Sequence, residues 1–568
     1  MTRLKEKNIP PPQKELLKII PLGGCEEVGR NMTVFEYKNE IVILDMGLQF
    51  PEEDMPGIDY VIPNTDYLKG KEKNIKGVIF SHGHLDHIGA AHILLPRLGN
   101  PPIIGRPLTI EMIKRRCEEL YHGASKFLKI IYINDLKQKL NLGSFILKFF
   151  PVDHAIMDAM GIVLETPVVT IIHPGDWTIE KAPVGRKVLS YHHLSKVKRP
   201  SVLMLESLGA TKQEKGVTEE EMLNNLFQLI DEAPGRTIIA TFSSQIQRVK
   251  QILEHAAKIG KKVALDGFSM KVNIEIAQKL GYIKVPKGLL ISVENTQLYP
   301  DNKIIIICTG GQGEEMAALS RIVSGNHRFI KIKKNDTIIF SSSVIPGNER
   351  TVQRLKDNIY RLSDNVFHSD IIDVHASGHS NIEGIKEIIG QIKPDYLIPV
   401  YANHYLLKEA AKIAQKMGFP KEKIIIPDNG SIIEFSRKGF QVREEKAVTS
   451  YVFVDGLGVG DVGEIVLRDR QVLAKDGMFV IITIIDKQTG RVRNSPDIIS
   501  RGFVYLRESK ELLSQTRRKV IEIVEKSTRA NVPVNWVYVK DEIRNKIGDF
   551  LFSKTSRRPM ILPVIIEV

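Results

Sequence analysis

Four metal-binding side chains lie within six residues in the segment Ser81-His82-Gly83-His84-Leu85-Asp86-His87. The segment follows one apolar run, Gly77-Val78-Ile79-Phe80, and precedes another, Ile88 to Leu95. This pattern predicts a buried strand that ends in a tight ligand loop, with a helix opening behind it. At a strand end, His82 and His84 point to one side. Asp86 and His87, at the start of the helix, face a second position, so one short loop serves two metal ions. Imidazole and carboxylate without thiolate suit zinc or manganese with open coordination positions, which is a hydrolytic rather than a structural arrangement.

A chain of 568 residues is too long for one core, and roughly two to four domains are expected. With 43% hydrophobic and 26% charged residues it reads as an ordinary soluble globular protein. The longest apolar runs, Ile304 to Cys308 and Met560 to Ile566, are too short to span a bilayer. The charged beginning with Pro10-Pro11-Pro12 has no apolar signal stretch, and residues 1–15 read as a flexible lead. The scattered Cys25, Cys117 and Cys308 fit a reducing cytoplasm and form no zinc-ribbon spacing. The net charge of +13 favours a polyanionic partner, nucleic acid first.

Residues 16–206 alternate short β-rich runs, such as Thr33 to Tyr37, Ile41 to Asp45, Val168 to His173 and Val202 to Glu206, with helical stretches at Ile88 to Arg97 and Thr109 to Leu120. That alternation predicts a layered α/β domain. Residues 207–370 change character: amphipathic helices at Thr218 to Asp231 and Gln245 to Ile259 alternate with strands such as Thr237 to Thr241. Residues 371–447 return to histidine-rich loops after strands and are expected to rejoin the first domain, which makes the middle segment an insertion. After a linker at 448–454, residues 455–568 lack the histidine pattern. They carry a turn at Lys487-Gln488-Thr489-Gly490, a charged helix from Ser509 to Arg529 and a strand-like tail, and so read as a small α+β domain.

Two ions need more ligands than one loop supplies, and candidates stand where other strands end. His154 follows the strand and turn Phe149-Phe150-Pro151, and Asp176 follows Val168 to Ile172 in His173-Pro174-Gly175-Asp176. His154 joins His82 and His84 at the first ion. Asp86 and His87 take the second, and Asp176, with two carboxylate oxygens, bridges them. Asp45, at the end of Ile43-Leu44-Asp45, is placed behind a ligand imidazole, fixing its tautomer. Two zinc ions roughly 3.5–4 Å apart would lower the pKa of a shared water toward about 7 and neutralise charge on an attacked phosphate. The leaving oxygen then needs a proton or a stabilising charge.

The H-x-H-x-D-H loop with Asp45, His154 and Asp176 in this order resembles the metallo-β-lactamase superfamily, which spans many substrates. Val374-His375-Ala376-Ser377-Gly378-His379 resembles the phosphate and histidine motif of the β-CASP nucleases, and Glu206 in Leu205-Glu206-Ser207 matches their acidic motif. Thr241-Phe242-Ser243-Ser244, Cys308 to Glu314, Ser341 to Glu349, Ser500 to Tyr505 and the tail Arg557 to Val568 are similar to the ribonuclease J family. The resemblance covers nearly the whole chain. It implies a metallo-β-lactamase αββα sandwich (16–206 and 371–447) with an inserted β-CASP α/β domain (207–370) and a small C-terminal α+β domain.

The resemblance further implies a zinc-dependent ribonuclease of RNA processing and decay, combining 5′-to-3′ exonuclease with endonuclease activity. Single-stranded RNA with a 5′-monophosphate is the implied substrate, and a homodimer or homotetramer assisted by the C-terminal domain the implied assembly. His375, Ala376, Ser377, Gly378 and His379 would hold RNA phosphate, with His379 near the leaving group; Asp86, Glu206 and His379 are the catalytic candidates. Ser243, Ser244 and Arg248 are further phosphate-pocket candidates, since hydroxyls and backbone N–H groups suit phosphate oxygens.

Two departures stand out. The family has Pro-Val-His-Gly-Glu where this chain reads Pro399-Val400-Tyr401-Ala402-Asn403-His404. Either His404 completes the second metal, Tyr401 substitutes for the histidine, or that ion is loosely held. Gln245-Ile246-Gln247-Arg248 stands where Asn-x-His-Arg is common, which bears on 5′-end preference. DNA or small esters on the same scaffold, and a non-enzymatic RNA-binding protein with a degraded second site, are the competing readings.

Overall fold

The structure is a computed structural model that describes residues 15–185, 187–213, 217–345, 347–504, 509–529 and 534–568. The expected lead 1–15 lies outside these residues except for Glu15, as do Pro346 and Tyr505 of the motifs above. The chain divides into two compact units: one runs to Phe50 and resumes over Val61–Val452, and the other joins Pro51–Tyr60 to Phe453–Val568.

In the first unit, strands form where β-branched and aromatic side chains are covered on both faces. Met32–Tyr37 and Ser201–Glu206 are buried along their whole length. Leu17–Gly23, Met32–Tyr37 and Glu40–Leu44 run antiparallel. Ile75–Ile79, Ile103–Gly105 and Ile130–Tyr132 extend that sheet in parallel, and Ser431–Ser436 with Gly439–Lys446 close its other edge. A second sheet runs in the order Tyr396–Val400, Ser201–Glu206, Thr170–His173, Met160–Glu165, Phe145–Pro151, Lys139–Leu142. Leu17, Phe35 and Leu44 of the first sheet share one core with Phe145, Ile162 and Leu203 of the second. The helices Ile382–Ile392 and His404–Lys416 pack into the same cluster through Ile388 and Leu407.

Between Glu206 and Tyr396 the chain builds a third sheet, parallel throughout, in the order Leu290–Ile291, Lys262–Asp266, Ile304–Cys308, Thr237–Ala240, Thr337–Phe340, Val366–Phe367. Its helices bury one face each. Glu219–Glu232 contributes Leu223, Leu226 and Ile230, and Ile246–Lys258 contributes Val249, Ile252 and Leu253. The first of these begins with a capping box: Thr218 Oγ1 accepts the Glu221 N–H at 3.2 Å while the Glu221 carboxylate accepts the Thr218 N–H at 3.0 Å. Ser201–Glu206 runs parallel to Tyr396–Val400, with Glu206 opposite Val400.

The helix behind the ligand loop begins earlier than its apolar run suggests. His84 is its extended N-cap, and Leu85–Ile88 form a short helix before a second one, Ala91–Arg97. Gly89 packs against Leu85 at the break, where a Cβ would come within 2.4 Å of the Leu85 carbonyl oxygen. Asp86 and His87 therefore lie inside the first turn.

In the second unit, Met478–Ile485 pairs antiparallel with Asp497–Arg501 and in parallel with Met560–Glu567. Phe479, Ile481 and Ile561 face a core with Val520 and Val524 of the helix Lys510–Arg529 and Val539, Ile543 and Ile547 of the helix Trp536–Thr555. The alternate positions point the other way: Ile499, Leu562, Val564 and Ile566 are exposed. Residues 51–60, read from sequence as part of the first domain, belong here. The Asp59 N–H donates to the Val454 carbonyl at 2.9 Å, the Gly456 N–H to the Asp59 carboxylate at 2.8 Å, and the Arg470 guanidinium to the Gly57 carbonyl at 3.2 Å.

Candidate metal centre

The ligand loop leaves the buried strand Ile75–Ile79 and is fixed from below by Asp45. This residue is fully buried and sits at φ +62°, a left-handed conformation that aspartate tolerates better than most side chains. Its Oδ1 accepts the Ser81 N–H at 2.8 Å; its Oδ2 accepts the Ser81 hydroxyl at 2.9 Å and His87 Nδ1–H at 2.8 Å. Gly47 allows the return pass, because a Cβ there would meet the Asp86 carbonyl oxygen at 1.5 Å.

His82, His84, His154 and Asp176 converge, each offering a ligand atom within 4.8 Å of the others. His84 Nδ1 lies 3.1 Å from His82 Nε2 and 3.0 Å from His154 Nε2. Asp176 Oδ2 stands 3.8 Å from both Nε2 atoms. Hydrogen bonds assign the tautomers. His154 Nδ1 donates to the Gly378 carbonyl at 2.7 Å, so its Nε2 presents a lone pair. The Ser81 hydroxyl donates to Asp45 and therefore accepts from His82 Nδ1, 3.0 Å away, so His82 Nε2 presents a second. A single proton on His84 Nδ1 satisfies only one of them. Burial and mutual repulsion hold these rings neutral: His82 lies well below the ordinary imidazole value, His84 is pushed down to about 4 and His154 to about 3. Neutral nitrogens converging with a carboxylate at such distances are a donor set that a divalent cation satisfies and protons do not, so the residues fit a metal.

Asp86, His87 and Asp176 form a second group. His87 Nε2 lies 3.2 Å from Asp176 Oδ1 and 3.4 Å from Asp86 Oδ2, so Asp176 offers one oxygen to each cluster. Burial opposes charge on His87, but Asp176, Asp86 and Asp45 outweigh it and raise its pKa well above the usual value. Asn31, not singled out from the sequence, stands here too. Its Nδ2 is 3.0 Å from His87 Nε2 and 3.3 Å from Asp86 Oδ2, while its Oδ1 is buried without a partner. The only signal in sequence is its place in the glycine-containing turn Gly29-Arg30-Asn31.

The geometry does not bring His404 to this group. It begins the helix His404–Lys416, points away, and meets Asp428 at 3.1 Å with its side chain 40% exposed. Glu26, His404 and Asp428 form an outlying cluster, and Lys446 already pairs with Asp428 at 2.8 Å. Tyr401 turns inward instead. At φ +58° its ring sits 5.2 Å from the His87 ring and 5.0 Å from that of His173, and its hydroxyl reaches Asp45 Oδ2 at 3.4 Å. His173 was also missed. Its Nδ1 accepts the Gly175 N–H at 2.9 Å, and burial lowers it to about 3.

Glu206 and the loop 375–379 meet on the open side. His379 Nδ1 lies 3.7 Å from Glu206 Oε1 and 3.9 Å from Asp176 Oδ2, with 30% of its side chain exposed. These are electrostatic contacts, too long for hydrogen bonds. Desolvation works against the charge, but attraction to Glu206, Asp176 and Asp86 raises His379 to about 9. Burial raises the Glu206 carboxyl, against the pull of His379. Gly378 is where the loop touches the metal cluster, since a Cβ there would lie 2.6 Å from Ala155 Cβ and 3.0 Å from His154 Nδ1.

Ser243 and Ser244 lie half-buried in the turn before Ile246–Lys258, and Arg248 on that helix is buried. Arg248 Nη1 donates to the Ser341 carbonyl at 2.7 Å and to His375 Nδ1 at 2.9 Å, and its Nε is buried without a partner. Burial lowers Arg248 to about 10 against the attraction of the Glu219 carboxylate. A second unpartnered donor, the buried Ser342 hydroxyl, lies next along the chain to Ser341. His375, pushed well below its usual value first by burial and then by Arg248, is neutral.

Residues 26–176 match the metallo-beta-lactamase superfamily and residues 367–427 the RNA specificity domain of Zn-dependent metallo-hydrolases. Residues 234–359 match the ribonuclease J beta-CASP domain and residues 465–568 the ribonuclease J C-terminal domain. The chain is 34% identical to ribonuclease J2 of Bacillus subtilis over 100% of both chains. It is 36% identical to ribonuclease J 1 of Streptococcus pyogenes, covering 96% of this chain and 97% of the other, and 37% identical to ribonuclease J of Thermus thermophilus, covering 97% and 95%. A crystal structure of a protein of unknown function from Enterococcus faecalis shares the fold, with a TM-score of 0.51 at 16% identity over 74% of this chain and 100% of that one.

Proposed function

The chain belongs to the ribonuclease J family, and from that premise we propose that it hydrolyses RNA phosphodiester bonds at a centre built on His82, His84, His154 and Asp176, with Asp86 and His87 holding a second ion. One observation carries the reading: imidazole nitrogens of His82, His84 and His154, 3.0–3.1 Å apart, converge with the Asp176 carboxylate. Two zinc ions, or manganese, would supply a hydroxide nucleophile at neutral pH and neutralise phosphate charge.

The protein's own groups do the rest. Asp45 holds His87 through Nδ1–H, and the Gly378 carbonyl holds His154 through Nδ1–H, so each presents Nε2 to the centre. His379, kept protonated by Glu206 and Asp176, presents its opposite nitrogen, Nε2–H, as the proton source for the leaving oxygen. Arg248 supplies the positive charge for a phosphate, and Ser243 and Ser244 add hydroxyl donors on the same turn. A buried guanidinium whose Nε has no partner gains from an anion that completes it, which supports a 5′-monophosphate preference and 5′-to-3′ exonuclease action, with internal cleavage where no 5′ end is engaged. The outward apolar row Ile499, Leu562, Val564 and Ile566 supports a homodimer or homotetramer.

RNA carrying a 5′-monophosphate should be shortened to nucleotides, and chelator should stop the reaction. His84→Ala should lose both turnover and first-site metal; full activity with unchanged metal content would overturn the assignment. Tyr401 favours a second reading, an RNA-binding protein with little turnover, which predicts tight, salt-sensitive RNA binding and no metal-dependent cleavage.

A further inference from the structure

We propose that Phe268 and Arg115 form a stacking site for a base of single-stranded RNA beside the phosphate-binding turn; the inference rests on the RNA reading above. Phe268 opens the helix Phe268–Lys279 and is 69% exposed. A solitary exposed apolar side chain needs no explanation. This one has a cation beneath it: the Arg115 guanidinium lies 5.0 Å from its ring centroid. Arg115 comes from a different helix, Pro107–Glu118. Its sequence neighbours are neutralised, Lys114 by Glu111 at 2.7 Å and Arg116 by Glu119 at 2.9 Å. Among the described residues Arg115 forms no ion pair or hydrogen bond, and its Nε is buried without a partner. One face of the ring is thus held by a cation whose charge is otherwise unspent, while the ring stays largely open to solvent. A supported aromatic with an open face is how sequence-tolerant proteins seat bases of single strands, with arginine adding its share.

The position agrees with the chemistry. One turn back from Arg115, Met112 packs on the ligand loop: a Cβ on Gly83 would lie 2.7 Å from its sulfur. On the phenylalanine's own helix, Asn273 Nδ2 donates to the Ser243 carbonyl at 2.9 Å. Five residues of helix separate Asn273 from Phe268, about 7–8 Å along the axis, a span that one extended nucleotide bridges. A strand whose phosphate sits at Ser243, Ser244 and Arg248 therefore has a base within reach of the ring.

The test uses the full, metal-loaded chain and a hydrolysis-resistant 5′-phosphorylated phosphorothioate oligoribonucleotide with 2-aminopurine placed successively at its first positions. One position should be quenched on binding. Phe268→Ala should abolish that quench and weaken binding on the order of tenfold, while Phe268→Trp should retain both. Removing the base at that position should erase the difference between the unaltered chain and Phe268→Ala. Equal affinity and quench for Phe268→Ala would overturn the proposal and leave the nuclease reading intact. Failure of the unaltered chain to bind the RNA would overturn both.

Discussion

His84 Nδ1 faces two lone pairs at once, and this fixes how protons and metal exchange. With His84 at about 4, His154 at about 3 and His82 well below the ordinary imidazole value, the first cluster is already deprotonated near pH 7. His87 is not, because three carboxylates hold its proton. Filling the first cluster should therefore release no proton at pH 7, while filling the second should displace His87 Nε2–H and release about one. Calorimetric titration in buffers of different ionisation enthalpy reads this directly, and equal release at both steps would contradict it. The sign also sets the pH window: first-site affinity stays flat above about pH 5 and falls as pH drops through the lowered values of His84 and His154. The second cluster has fewer donors, with Tyr401 and Asn31 around it in place of another imidazole, so it should load later.

The loop 375–379 works as an element because its glycine lets two elements touch. In Gly378→Ala the new Cβ, 2.6 Å from Ala155, pushes the loop off and breaks the 2.7 Å bond that orients His154. Metal affinity should fall about 10–100-fold, as for other residues that orient a ligand, measured by competition with a chromophoric chelator; unchanged affinity would show that the loop does not position His154. Most strands were legible in the sequence because they are apolar runs covered on both faces, and the candidate ligands were legible because they stand at strand ends. What sequence spacing does not carry is the direction of a side chain. Tyr401 faces inward because its backbone turns left-handed, and His404, three residues on, is carried outward by the helix it begins. Asn31 and His173 escaped notice because neither belongs to a ligand spacing. Residues 51–60 were misplaced because their partners, Val454, Gly456 and Arg470, lie hundreds of positions away.

At the scale of the whole molecule, two questions remain physical ones: what covers the apolar sheet face, and when the centre comes into being. Leu562 and Val564 point outward while Ile561 faces the core, so Leu562→Lys with Val564→Lys should split an oligomer without unfolding its subunits. Sedimentation equilibrium checks this; an unchanged mass, or a monomeric unaltered chain, would exclude that face as the contact. The pairing of Ser201–Glu206 with Tyr396–Val400 bears on timing. Ser201 is held by Asp395, 194 residues later, through a 2.8 Å bond. At about 5–20 residues per second, a ribosome needs about 10–40 s to deliver the second strand after the first. During that interval the nascent polypeptide has His82, His84 and His154 but neither His379 nor the Gly378 carbonyl that orients His154. On the proposed mechanism the half-made chain would gather its ligands before it could deliver a proton to a leaving oxygen.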